Sequence, residues 1–314
     1  MNDKERTQAG KHQFKYFLST QYPMWRVTLV KTIRKILEDP IGFYEPIYDE
    51  IQRYEDEDMP ATINCEVRNG LFFEALSQSI QAIEDLFSLM RNCDDLAYFA
   101  KHVITYQASE VTEYIQRFDT NNTEYLLKQY GLPYFDLDAA WENEDVFHSY
   151  VEAVSLIKQY MDTLIAHHQK FYLHYCQYKH GLAVALRPFG TGLPTGGGNP
   201  FEGSVMVFDN KNYSKRNKGK LGQFMIPDFH PSIAPHLSAL HDQDNLLRAE
   251  QRVVNIQDFV DVTEKAYTLL SVLHRNMEYF CNIDEAAPVH EYAFPTKDYK
   301  KLLIIGFPID EFSK

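Results

Sequence analysis

One stretch, residues 150–181, constrains the fold of this chain more than any other. Tyr150, Val154, Ile157, Met161, Leu164, His168, Phe171, Tyr175 and Tyr178 recur there at steps of four and three residues, which places them on one face of a continuous helix. Such a helix is roughly 45 Å long at about 1.5 Å per residue. Only helices of comparable length can cover its apolar face. The expected fold is therefore mainly α: a bundle of four long helices plus short helices, with a small β-rich insertion after the long helix and a C-terminal strand.

Further periodic stretches supply the partners. Residues 11–181 and 255–281 read as the helical bundle, after a disordered tail at 1–10. A helix over 14–38 carries Trp25, Leu29 and Ile33 on one side and Arg26, Lys31 and Arg34 on much of the rest; Asp39-Pro40 stops it. Phe72, Leu76, Ile80, Ile83, Phe87 and Met90 form a second stripe, and Phe259, Ala266, Leu270, Leu273 and Met277 another. Residues 182–254 change character and read as a β-rich or irregular insertion, with strands at 182–186 and 204–208 and a weaker one at 223–226. Residues 282–314 form a C-terminal segment with one strand, 301–307, expected to pair with the strands of the insertion.

Charge and cysteine usage narrow the function classes. The net charge of −13 opposes tight, sequence-independent binding to nucleic acid over the whole surface. Cys65, Cys93, Cys176 and Cys281 are far apart and read as buried thiols, neither a disulfide framework nor a zinc site. The polar N-terminus lacks an apolar signal region and no apolar run approaches the ~20 residues of a membrane span, so a cytoplasmic protein with no membrane association is expected.

The end of the long helix collects Lys170, His174, Lys179 and His180. Cations in a last helical turn offset exposed carbonyls, and a following glycine, here Gly181, commonly takes the left-handed C′ position. That accounts for Lys179 and His180, but leaves His174 and the tyrosines around it. His168, His174, Tyr175 and Tyr178 are accordingly candidates for a pocket that holds a small molecule or cofactor, against the alternative that His168 is an ordinary core histidine. No Glu-x-x-His or His-Glu-x-x-His spacing occurs, so no metal is expected, and no cofactor is implied. The Gly-rich run 190–198 lacks the lysine and the following helix of a phosphate loop and reads as a hairpin connection. Lys211, Lys215, Arg216, Lys218 and Lys220 lie in an acid-free segment that is either a solvated hairpin tip or a phosphate contact with Tyr213 free to stack on a base.

Two stretches bear a family likeness. Glu66-Val67-Arg68-Asn69-Gly70 through Glu74 to Glu84-Asp85-Leu86, together with Tyr175-Cys176-Gln177-Tyr178-Lys179-His180-Gly181, resemble the HEPN-like helical-bundle proteins of prokaryotic defence, stress and toxin systems. The resemblance implies a helical bundle that dimerises through its helices and an RNA or protein partner. Nuclease members cut RNA without metal through Arg-x(4–6)-His, in which histidine handles protons and arginine stabilises phosphorane charge. Here that spacing occurs at Arg6 and His12 alone, and Lys179 directly precedes His180. The resemblance therefore favours a non-enzymatic or degenerate interaction module. A metal-independent ribonuclease that uses His180 and Lys179 is one alternative, and a small-molecule-binding helical protein is the other.

Overall fold

The computed structural model describes residues 3–52, 58–93, 96–105, 107–135, 144–181, 183–186, 199–209, 224–225, 248–282 and 289–308. The fold is mainly α, with long helices, a small antiparallel sheet in the insertion and C-terminal strands. In chain order the helices are α1 (Asp3–Thr20), α2 (Trp25–Glu38), α3 (Pro40–Tyr44), α4 (Tyr48–Ile51), α5 (Met59–Thr62), α6 (Arg68–Cys93), α7 (Phe99–Ile104), α8 (Ala108–Arg117), α9 (Thr123–Gln129), α10 (Glu144–His180) and α11 (Ile256–Asn282). The strands are β1 (Val184–Ala185), β2 (Glu202–Asp209), β3 (Phe224–Met225), β4 (Arg248–Asn255), β5 (Val289–Pro295) and β6 (Leu302–Pro308).

The chain divides into two compact units. The first comprises Met1–Arg26, Gln81–His167 and Val262–Lys314. Its core joins Phe14 of α1, Phe87 of α6, Ile115 of α8, Ile157 and Leu164 of α10 and Leu273 of α11, each at most 0% exposed. Rings pack edge-on within it: Phe87 meets Phe118 with centroids 5.4 Å apart and planes at 88°. Tyr150 keeps its hydroxyl satisfied by donating to the Pro133 carbonyl at 2.9 Å. Burial raises that phenol to about 12.

The second unit comprises Val27–Ile80 and His168–Asp261. Val30, Ile33 and Leu37 of α2 pack with Phe72, Phe73 and Leu76 of α6, Phe171 of α10 and Phe259 of α11. One side of this core is a four-stranded antiparallel sheet in the order β1-β2-β4-β3. Val205 and Val207 of β2 lie opposite Arg252 and Glu250 of β4 and are fully buried. The first turn of α6 holds the loop ends of this sheet. The Arg68 guanidinium donates from Nη2 to the carbonyl oxygens of Asn199, Pro200 and Glu202 at 3.3, 3.0 and 2.6 Å. Next to it, Asn69 donates to the Leu186 carbonyl at 2.7 Å.

Several sequence expectations change. Residues 1–10 are expected to be disordered, yet α1 begins at Asp3; Gly10 is buried and Phe14 packs edge-on to Phe99 at 4.9 Å. The helix expected over 14–38 is two, α1 and α2, with a turn at Tyr22-Pro23 between them, where proline cannot continue a helical ladder. The stop at Asp39-Pro40 stands, and the Asp39 carboxylate caps α3 by accepting from the Gly42 N–H at 3.0 Å. The C-terminal segment holds two strands, not one: β6 pairs with β5 in a separate antiparallel hairpin, Tyr292 opposite Ile305, so it does not join the insertion sheet. β4, with charged Arg248, Glu250 and Arg252, lacked the apolar alternation by which strands are recognised. Cys65, Cys93 and Cys176 are half-buried, not buried, and form no disulfide. The Gly-rich run 190–198 and the basic segment 211–220 lie outside the described residues.

No helix among the described residues is long and apolar enough to cross a membrane.

Candidate functional site

The end of α10 is built as a helix stop. Gly181 takes φ 77°, and its N–H donates to the carbonyl oxygens of Gln177 at 3.2 Å and Tyr178 at 3.0 Å. Lys179 and His180 are exposed in the last turn. The Lys179 ammonium lies 5.9 Å from the centre of the Tyr175 ring, within reach of a cation–π contact.

Of the four residues expected to line a pocket, His168, His174 and Tyr175 are buried and Tyr178 is half-buried. Tyr178 donates to Glu74 Oε2 at 2.9 Å and stacks on Phe73 at 5.3 Å; Gln78 holds the other Glu74 oxygen at 2.6 Å. Burial, with Glu74 beside it, pushes the Tyr178 phenol up to about 12. Tyr175 is buried in the second unit's core. His168, 1% exposed, stacks on Tyr172 at 4.6 Å, and its Nε2 has no hydrogen-bond partner among the described residues. His174, fully buried, lies edge-on to Phe171 at 6.0 Å. Lys211, Lys215, Arg216, Lys218 and Lys220 fall in segment 211–220, already placed outside the described residues.

The buried histidines make stability pH-dependent. Desolvation lowers His168 from 6.5 to about 4; desolvation, with Arg252 nearby, lowers His174 from 6.5 to about 3. The unfolded chain therefore binds these protons more readily than the folded one, and stability rises with pH across that window. Their full contribution is present above pH 6.5 and is lost as pH falls toward about 4 and 3. Each group accounts for up to about 1.4 kcal/mol per pH unit. The urea midpoint should be lower at pH 5.0 than at pH 7.5, and a His168→Phe variant should show a flatter profile. A midpoint that rises on acidification would contradict this assignment.

A cleft of about 400 Å³ does open in the first unit, and every residue that lines it belongs to that unit. Four parts of the chain build it, one of them Val103 of α7. Phe17 of α1, Tyr22 of the following turn and Trp25 of α2 supply rings, of which Tyr22 is 67% and Trp25 55% exposed. Asp85, Ser88 and Asn92 come from α6 at spacings of three and four, so they share one face of that helix. His274 comes from α11, one turn after Leu270.

Arg26 frames the mouth: its Nε donates to Asp85 Oδ2 at 2.5 Å, its Nη2 to Asp85 Oδ1 at 3.2 Å and its Nη1 to Gln81 Oε1 at 2.9 Å. Both prongs of a bidentate pair are thereby filled. Burial holds the His274 imidazole at about 4, well below its usual 6.5, and so neutral at physiological pH. Neutral imidazole offers one donor and one acceptor. The size matches small-ligand sites, which span about 300–1,000 Å³ and combine apolar walls with a few placed polar groups.

Sequence reasoning missed this site. It placed Trp25 on the apolar side of a helix and Arg26, with Lys31 and Arg34, on much of the remainder. Ser88 and Asn92 are polar interruptions beside a long apolar stripe, and that was the one signal available. No protein-family model, curated protein or solved structure matches this chain.

Proposed function

We propose that this protein binds a small molecule in the cleft of its first unit. The observation that carries this reading is the convergence of Ser88, Asn92 and His274 with the Trp25 ring on one 400 Å³ space. This is the small-molecule reading of the sequence, proposed at a different place from His168, His174, Tyr175 and Tyr178. A thermal-shift screen of the full chain against a metabolite-sized library tests it. A ligand at 100-fold its Kd stabilises the fold by about 2.7 kcal/mol, and Ser88→Leu, which fills the cleft, should abolish that gain. A library without a single saturable, Ser88-sensitive hit would defeat the reading.

The exposure of Lys179 and His180 supports a second reading, an HEPN-like module that contacts RNA through the end of α10. Mixed RNAs incubated with the protein in EDTA separate its two forms: cleavage lost in His180→Ala marks a ribonuclease, whereas retention without cleavage marks a binding module. Intact and unbound RNA at high protein concentration removes both.

A further inference from the structure

We infer that the cleft of the first unit takes an uncharged, planar nitrogen heterocycle of the nucleobase type. The inference rests on the ligand-binding reading above and adds the chemistry of the occupant. It comes from three properties of the lining: charge, hydrogen-bonding capacity and shape.

The charged side chains that line the cleft are Arg26 and Asp85, and they neutralise each other through two contacts. An anion would have to take the guanidinium fork away from Asp85 and Gln81. A cation would have to take both Asp85 oxygens away from Arg26. Either exchange gives up a charge-assisted pair for a similar one, so neither sign of ligand is favoured.

The unused polar capacity lies deeper. Asn92 is 5% exposed, yet its amide makes no hydrogen bond to another described residue, and the same holds for the Ser88 hydroxyl and the His274 ring. Together they present an amide N–H₂ and C=O, a hydroxyl that serves both ways, and an imidazole with one donor and one acceptor. An aliphatic or plain aromatic occupant would bury these groups unmatched. The edge of a nitrogen heterocycle, with ring acceptors beside N–H donors, matches them. Ser88 and Asn92 stand four residues apart, about 6 Å along α6, a spacing that one or two fused rings span.

The rings of Tyr22 and Trp25 complete the fit. They lie largely in solvent at the mouth of the cleft, and a flat occupant would cover them by stacking.

The test uses the full chain at pH 7.5, with binding followed by calorimetry and by tryptophan emission. The probes are adenine, hypoxanthine and cytosine as neutral heterocycles, benzoate as an aromatic anion, benzylamine as an aromatic cation and cyclohexanol as a neutral aliphatic. At least one heterocycle should bind with an affinity ten-fold or more above the other probes. Trp25→Ala and Ser88→Ala, both at residues outside the buried core, should each weaken it ten-fold or more while leaving the melting temperature of the free protein close to that of the parent. If benzoate, benzylamine or cyclohexanol binds best in a Ser88-dependent way, the heterocycle inference falls and the ligand-binding reading stands. Heterocycle binding indifferent to both substitutions overturns the inference, because the site is then elsewhere. No binding by any probe overturns the inference; the wider library screen then decides the ligand-binding reading on its own.

Discussion

Asn276→Leu should cost the first unit roughly 4 kcal/mol, read as a large drop in urea midpoint and melting temperature. Asn276 sits in α11 at 2% exposure. Its amide nitrogen donates to the Tyr130 carbonyl at 3.2 Å and the Ala293 carbonyl at 3.0 Å, and its oxygen accepts from the Ala293 N–H at 2.7 Å. β5 pairs with β6 on one edge; on the other, Ala293 would show a buried N–H and C=O to an apolar helix. The asparagine side chain stands in for the missing neighbour strand at that position. Leucine keeps the branched heavy-atom skeleton but is bulkier, so the cost is mainly the lost hydrogen bonds with some added crowding. Three backbone groups lose their partner at about 1–3 kcal/mol each, which is why a single amide weighs so much. A loss below about 1 kcal/mol would mean that water reaches Ala293 and that the hairpin is not docked as described.

The second large effect is expected at Gly10. A Cβ built there lies 1.8 Å from the Leu96 carbonyl oxygen and 2.6 Å from its carbon. Both atoms are backbone, so no rotamer change relieves the overlap. α1 has to lift away, and with it Phe14, which is fully buried and packs edge-on to Phe99 at 4.9 Å. Gly10→Ala should therefore destabilise by about 3 kcal/mol, the upper range for forced overpacking. The same substitution at Gly70, where an added Cβ meets nothing within 4 Å, should stabilise by about 0.5–1 kcal/mol through helix propensity. Opposite signs for one chemical change at two helical glycines are the outcome to look for in paired thermal melts. Because α1 also carries Phe17 to the cleft, with Gln21 directly after its end, Gly10→Ala should lose ligand binding, whereas Gly70→Ala should keep it.

These two positions show what the sequence could and could not announce. The stripe of α10 was legible because burial on a helix leaves a period: Tyr150, Ile157, Met161, Leu164, Phe171 and Tyr175 are all buried. So was the chemistry of its end, since Gly181 after Lys179 and His180 is a local signal. Gly10 was not legible, because a glycine in a polar helix looks the same whether it faces solvent or another backbone. β4 escaped because its strand character comes from its pairing with β2, a contact distant in sequence. The cleft escaped for the same reason on a larger scale. Trp25, Asp85, Asn92 and His274 come together only after three helices pack, and each alone is an ordinary surface or interior residue. His168 and His174 did stand out as unexplained by helix termination. Their buried positions make them part of the folded core's response to acid.

The paired contacts of Arg68 and Asn69 carry one more consequence. Leu186, where the chain leaves the described insertion, and Asn199, where it returns, are fastened to neighbouring residues of a single helical turn. The span between them is thus closed by the fold itself, whatever its length. The first turn of α6 acts as a staple: the entropic cost of bringing Leu186 and Asn199 together is met by contacts that both lie within the described residues.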